Sequence, residues 1–129
     1  MKDFNYHSAK DSKEASKLAS SSSAFLAGGM TTIPSMKLGL ATYKDLIDIK
    51  NIKKLNGIKV SGKSVTIGAA TKHVEVSNSK DVKKAIPSLS SLAEGIGDPQ
   101  VRNRGTIGGS IANNDPSADH PSALSLIHI

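Results

Sequence analysis

The apolar residues of this chain come in short runs, and each run is ended by glycine, proline or a polar cluster. Ala24-Phe25-Leu26-Ala27, for example, leads directly into Gly28-Gly29. No run approaches the roughly 20 apolar residues that a membrane-spanning helix needs. The 129 residues are therefore expected to form a small globular unit of short helices and strands around a modest core.

Helical and strand patterns alternate along the chain and together predict an α+β fold. Asp11, followed by Glu14, is typical of a helix start and predicts a helix over about residues 12–20. Strands are predicted at 24–27 and 45–49, with helical residues between 31 and 40. This order is typical of a small βαβ-like unit.

The middle of the chain has the pattern of a β-hairpin. Apolar residues alternate at positions 58, 60, 65 and 67, on either side of Ser61-Gly62-Lys63. Further on, a helix is predicted from Pro87 to about Gly95, because apolar residues recur there at helical spacing.

Composition excludes several kinds of site. The chain has no cysteine, which removes disulfides, thiolate catalysis and protein-held iron–sulfur clusters from these 129 residues. It has only two Tyr, two Phe and no Trp, so a platform for stacking bases is hard to assemble. The net charge of +6 comes mainly from lysines scattered along the chain, as on a solvated surface. A nucleic-acid partner is therefore not expected.

Other common site motifs are missing from the sequence. There is no P-loop and no dinucleotide-binding fingerprint, because Gly95-Ile96-Gly97 lacks the third glycine. The four histidines are far apart, and the Asp115-x-Ser117-x-Asp119 pattern lacks the glycine of a calcium loop, so no metal site is predicted. The first residues have no apolar stretch typical of a secretory signal, which favours a cytoplasmic location.

Two glycine pairs share one local pattern and are the strongest candidates for a binding site. Leu26–Thr31 and Thr106–Ser110 each lead an apolar residue into Gly-Gly and then reach a hydroxyl side chain. Glycine permits positive φ and lets an anion approach without a Cβ in the way. Two such turns, each exposing several main-chain amides, would suit a diphosphate. The alternative is that both are ordinary tight turns.

Three further side chains lie close to the second glycine pair in sequence. Asp119 follows it by nine residues, where it can bind a polar edge of a ligand or serve as a helix cap. Arg102 and Arg104 precede it and offer bidentate donors to an anion. Surface ion pairs are the more frequent role of such arginines.

Three segments of the chain resemble, in order and spacing, the FAD-binding medium subunit of the carbon monoxide dehydrogenase and xanthine dehydrogenase family of molybdenum hydroxylases. They read AGGMTTIPSMK at 27–37, GDPQVRNRGTIGGS at 97–110 and ANNDPSAD at 112–119. Tyr6-His7 and Asp45–Ile49 are also similar to family positions. The resemblance extends over about residues 4–123.

The resemblance implies a PCMH-type α+β fold in which two subdomains grip FAD. Residues 1–55 would form the small N-terminal α/β subdomain, and residues 56–123 would start a second, incomplete α+β subdomain. Residues 124–129 do not continue the pattern and read like a translated sequencing adaptor, so they are expected to be a non-native tail. The alternative is a genuine short, divergent C-terminus.

The resemblance also implies which residues bind the cofactor. The first loop supplies Ala27, Gly28, Gly29, Met30 and Thr31, and the second supplies Thr106, Ile107, Gly108, Gly109 and Ser110. The family's acid near the flavin corresponds to Asp119. Met30 stands where relatives often have His, and Ser110 where many have Asn, but neither change removes a main-chain donor. No catalytic residue and no metal ligand are implied on this chain.

By the same resemblance, the chain is expected to be part of an oxidoreductase subunit. In that family, electrons pass from a molybdenum cofactor through 2Fe–2S clusters to FAD and then to an external acceptor. The expected partners are a large molybdenum-cofactor subunit and a small 2Fe–2S subunit, and the fragment is expected to be inactive alone. The alternatives are a non-catalytic nucleotide-binding module and a non-functional truncated fragment.

Overall fold

The computed structural model describes residues 1–126 and has the predicted α+β composition. The strands are β1 (Asn5–Ser8), β2 (Ser23–Leu26), β3 (Asp45–Asp48), β4 (Ile58–Ser61) and β5 (Ser64–Ile67). The helices are α1 (Ser12–Leu18), α2 (Thr32–Lys37), α3 (His73–Asn78), α4 (Lys80–Ala85), α5 (Pro87–Gly95), α6 (Pro99–Arg102), α7 (Ile107–Asn113) and α8 (Asp119–Leu126), with a 3₁₀ turn at Lys53–Leu55. Of the predicted tail 124–129, residues 124–126 end α8, and residues 127–129 lie outside the described residues.

The first half of the molecule is built on a three-stranded parallel sheet in the order β1-β3-β2. Parallel neighbours need a crossover connection, and α2 provides it between β2 and β3, whereas α1 connects the two edge strands, β1 and β2. The predicted βαβ-like unit, β2-α2-β3, is therefore confirmed. Asp11 caps α1 by accepting hydrogen bonds from the amides of Lys13 and Glu14, as the sequence pattern indicated.

The second half combines a hairpin with a group of helices. β4 and β5 pair antiparallel around Gly62, whose φ of +57° suits a tight turn, and this confirms the predicted hairpin. The helix predicted from Pro87 is confirmed as α5, which packs against α3 and α4. None of the helices within residues 1–126 has the length and apolarity needed to cross a membrane.

Several elements were not anticipated from the sequence, and two of them, β1 and α7, bear on the site. β1 is a polar, mostly exposed edge strand that takes its conformation from pairing with β3. The second glycine pair lies inside α7, where an open turn was expected. Thr106 caps this helix by accepting a hydrogen bond from the amide of Gly109, and the capped first turn accommodates both glycines.

The buried apolar residues form separate clusters on the two sides of residue 56. Two clusters surround the parallel sheet, centred on Ile47 and on Leu46. A third joins the hairpin to the helices around Val76 and Val82. Within the described residues no cluster draws members from both sides, and the division into subdomains 1–55 and 56–123 stays a prediction.

A pair of stacked histidines is buried between α3 and α8. The ring centroids of His73 and His120 are 4.9 Å apart, and the two residues are 4% and 0% exposed. Burial lowers the pKa of His73 to about 4, and the neighbouring His120 acts in the same direction. Burial also lowers the pKa of His120, although Asp119 acts in the opposite direction. Both rings are therefore neutral in the folded protein near pH 7.

We expect the free energy of unfolding to fall as the pH is lowered from about 6.5 to about 4. In that range the unfolded chain binds protons on these histidines, whereas the folded chain does not. His73 alone should contribute on the order of 3 kcal/mol, as measured by urea unfolding at a series of pH values. The variant His120→Leu removes one titrating ring and should show a shallower dependence. An unchanged dependence in this variant would contradict the assignment.

Candidate functional site

The parallel sheet brings two loops to the same edge. Leu26 of β2 and Asp48 of β3 are register partners, and the amide of Ile49 donates to the carbonyl of Leu26 at 3.0 Å. Because parallel strands end at one edge, the first glycine loop leaves β2 beside the residues that leave β3. Lys50 is thereby placed next to Ala27 and Gly28, and all three line one cleft.

The first glycine loop presents main-chain donors that the protein itself does not use. Within residues 1–126, the amides of residues 27–32 donate to no main-chain or side-chain acceptor. Gly29 has φ of +74°, which turns the chain sharply at the end of the strand. Consecutive unpaired amides around such a turn form a concave site for an anion.

The second glycine pair has a different hydrogen-bond pattern. The amide of Ile107 donates to the carbonyl of Thr71, that of Gly108 to Ala69, and that of Ser110 to Thr106. The amide of Gly109 donates to Oγ1 of Thr106. The expectation that this pair also exposes several amides is therefore wrong. The helix start and the segment 69–71 occupy these donors, and only the amide of Thr106 itself has no acceptor among the described residues.

The glycines of the second pair serve close packing instead. A Cβ on Gly108 would lie 2.5 Å from the Cβ of Ala69, which is closer than two carbon atoms can approach. A Cβ on Gly109 would lie 2.8 Å from Oγ1 of Thr106 and 3.9 Å from the Cβ of Ala27. The second loop thus lies against the first.

The two loops meet main chain to main chain. A Cβ on Gly28 would overlap the carbonyl oxygen of Arg104 and lie 2.8 Å from the Cα of Gly105. Nε of Arg104 also donates to the carbonyl of Gly28, at 3.4 Å. The contact holds the end of β2 against the residues that lead into α7.

The cleft between the loops has a volume of about 490 Å³, within the usual range for ligand sites. Its charged lining residues are Lys50, Lys72, Arg104 and Glu75, so positive charge is in excess. Lys72 and Arg104 make no ion pair within the described residues. The remaining lining residues are Ala27, Gly28, Asn51, Asn56, Ala70, Asn103 and Thr106.

Not every predicted site residue lies at this cleft. Ala27, Gly28 and Thr106 line it, whereas Gly29, Met30, Thr31, Ile107, Gly108, Gly109 and Ser110 are not among its lining residues. Asp119 is exposed at the start of α8 and is not part of the lining, so its role near the flavin stays a prediction. Nη1 of Arg102 donates to the carbonyls of Ile96 and Gly97 and closes that turn.

Several cleft residues were not named from the sequence. Lys50 follows a predicted strand, and the rule that ligands bind at the carboxyl ends of parallel strands would have indicated it. No comparable rule would have indicated Lys72 or Asn56 from the sequence. Lys72, for example, reaches the cleft through an isolated bridge with Thr106. No cluster of metal-ligating side chains occurs within residues 1–126.

The geometry suits a phosphate-bearing ligand. Loop amides supply short-range donors, and Lys72 and Arg104, which have no ion partner among the described residues, supply positive charge. Charge-assisted hydrogen bonds of this type contribute about 1.5–3 kcal/mol each.

Comparison with known proteins gives a consistent result. A family model described as the FAD binding domain in molybdopterin dehydrogenase matches residues 2–128. The carbon monoxide dehydrogenase medium chain of Hydrogenophaga pseudoflava is 46% identical over 126 residues, covering 95% of this chain and 44% of the relative. The glyceraldehyde dehydrogenase medium chain of Sulfolobus acidocaldarius is 37% identical over 128 residues, covering 98% and 46%.

The fold agrees with a solved structure of the same kind. Carbon monoxide dehydrogenase from Hydrogenophaga pseudoflava superposes with a TM-score of 0.91 at 46% identity, covering 93% of this chain and 43% of that chain. The chain spans less than half the length of these curated relatives.

The variant Gly28→Ala should destabilise the protein by about 1–3 kcal/mol, because its Cβ would overlap main-chain atoms that cannot rotate away. The free energy of unfolding in urea measures this loss. Gly95→Ala is the matched control, since a Cβ there meets no atom within 4 Å and φ is ordinary. The control should change stability by no more than about 1 kcal/mol, in the stabilising direction. Equal stabilities for the two variants would contradict the close approach.

Proposed function

The chain belongs to the family of FAD-binding domains of molybdopterin dehydrogenases, and we propose that its interloop cleft holds the diphosphate of FAD within an electron-transfer subunit. The observation that supports this most directly is the run of amides at residues 27–32 that have no acceptor within residues 1–126. The run begins at Ala27 and Gly28, which line a cleft with an excess of positive charge at the edge of a parallel sheet. A diphosphate carries the charge and the acceptor oxygens that such a site lacks.

Each residue of the cleft has a distinct part in this proposal. The amides of the first loop donate to phosphate oxygens, and Gly28, which has no Cβ, lets this loop pack on the main chain of Arg104 and Gly105. Lys72 and Arg104 neutralise the phosphate charge from the side of the second subdomain. Gly108 and Gly109 let the start of α7 pack closely on Ala69 and on Thr106, next to the first loop.

FAD, when bound, supplies reversible two-electron redox chemistry. The chain's relatives are medium chains or subunits of dehydrogenases, which supports an electron relay rather than substrate oxidation at this site. We further propose that electrons enter from 2Fe–2S clusters on a small partner subunit and leave to an external acceptor. A large partner subunit would carry the molybdenum cofactor. The absence of cysteine from these residues agrees with clusters on another chain.

The 129-residue chain should bind FAD, as measured by quenching of flavin fluorescence, and ADP should compete with it. Riboflavin has no phosphate and should bind at least about tenfold more weakly. Lys72→Gln should weaken FAD binding about three- to tenfold, because it removes one charge from the cleft. Lys63→Gln, in the hairpin turn, is the matched control and should bind as the wild type does. Equal binding of riboflavin and FAD would reject the diphosphate site.

The electron relay has its own test in the assembled complex. A reduced 2Fe–2S partner subunit, freed of excess reductant, should bleach the flavin absorbance of the FAD-loaded chain. Persistent oxidised flavin beside reduced clusters would reject the relay and would favour a nucleotide-binding module without a redox role.

A further inference from the structure

Asp48 is a buried carboxylate directly behind the cleft. It ends the central strand β3 and is 1% exposed, yet it does not line the cleft. A carboxylate in such a position is unfavourable unless its charge is paired and its oxygens accept hydrogen bonds. Its partners therefore indicate what it does.

Asp48 is held by groups from two elements. Its Oδ1 accepts from the main-chain amide of Lys50 at 2.9 Å, and its Oδ2 accepts from Nζ of Lys50 at 2.8 Å. The hydroxyl of Tyr6, on β1, donates to the same Oδ2 at 2.5 Å. Burial acts to raise the pKa of Asp48, but the hydrogen bonds from Lys50 and Tyr6 outweigh it, and the pKa lies below its ordinary value. The hydrogen bond with Asp48 raises the pKa of Lys50, so both groups are charged near pH 7.

Lys50 joins this buried network to the cleft. Its side chain is 57% exposed and lines the cleft beside Ala27 and Gly28. An ammonium group has three donors, and Asp48 uses one of them. The remaining donors are available to a ligand next to the unpaired amides of the first loop.

We propose that Lys50 binds the diphosphate of the nucleotide, and that Asp48 and Tyr6 are positioning residues that hold its ammonium group in place. This inference rests on the proposed function and adds a residue to the same site. The register of β2 and β3 places Lys50 there, because Leu26 and Asp48 are partners and both chains leave the sheet at that edge.

The effect of removing the Asp48 carboxylate distinguishes a positioning role from an effect of net charge. Asp48 reduces the long-range attraction of Lys50 for an anion, since it adds a negative charge nearby. If net charge dominated, removal of that carboxylate would tighten anion binding. If the fixed position of the Lys50 ammonium group dominates, removal of the Asp48 carboxylate releases the flexible lysine side chain. Binding of the anion then weakens, because the side chain must be ordered again when the ligand binds.

The test measures binding of ADP and FAD to the 129-residue chain and its variants. Lys50→Gln should weaken binding of both about tenfold, and Lys50→Arg should restore most of it. Asp48→Asn should weaken binding about threefold despite raising the net positive charge, and the double variant should bind no more weakly than Lys50→Gln alone. Lys54→Gln, in the 3₁₀ turn outside the cleft, should bind as the wild type does.

Tyr6→Phe repeats the positioning test without a change of charge. Tyr6 is 53% exposed, so the variant should fold even if Asp48→Asn does not. It should weaken ADP binding about twofold and leave riboflavin binding unchanged.

The outcomes distinguish this inference from the function on which it rests. If the wild-type chain binds neither FAD nor ADP, both proposals are overturned. If it binds both and Lys50→Gln binds equally well, only the role of Lys50 is overturned. If Lys50→Gln weakens binding but Tyr6→Phe and a folded Asp48→Asn bind as tightly as the wild type or more tightly, the positioning role is overturned.

Discussion

Main chain packs directly on main chain where Gly28 meets Arg104 and Gly105, and the site depends on that contact. It joins a loop from the parallel sheet to the segment that starts α7, although these residues lie far apart in sequence. A side chain at position 28 would separate the two loops and open the cleft between them. Lys50, from the end of β3, and Lys72, from the segment that pairs with Thr106, line the same cleft beside this contact.

The two glycine pairs are similar in sequence but have different structural roles. The first leaves an edge strand and precedes a short helix whose cap residue, Thr31, makes no side-chain cap hydrogen bond, so its amides stay unpaired. The second lies in the first turn of a helix, where Thr106 and the segment 69–71 accept its amide protons. The first pair therefore has main-chain donors that are not used within the described residues, whereas Gly108 of the second pair lets the start of α7 pack closely on Ala69.

Polar contacts between β1 and β3 connect the sheet to Lys50 at the cleft. Tyr6 and Asp48 belong to segments that resemble family positions, and the structure shows that they contact each other. The same strand carries Asp45, whose Oδ1 lies 2.8 Å from Nε2 of His7, so the edge strand β1 is attached to β3 by side chains as well as by its ladder. This explains why so polar a segment forms a strand. It also places the phenol of Tyr6 where it can orient Asp48 and, through it, Lys50.

Local signals within a few residues determined much of this protein: the cap of α1 at Asp11, the hairpin turn at Gly62, the start of α5 at Pro87 and the β2-α2-β3 unit. They also singled out both glycine loops, because glycine next to an apolar run is visible without a structure. Only the tertiary structure decided that α7 begins at the second pair, that β1 is a strand, and that Lys50, Asn56 and Lys72 share a cleft with Gly28. These features depend on contacts between residues distant in sequence, such as Gly28 with Arg104 and Tyr6 with Asp48, 76 and 42 positions apart. No local pattern encodes a pairing of that kind, because its free energy exists only once both segments are folded against each other.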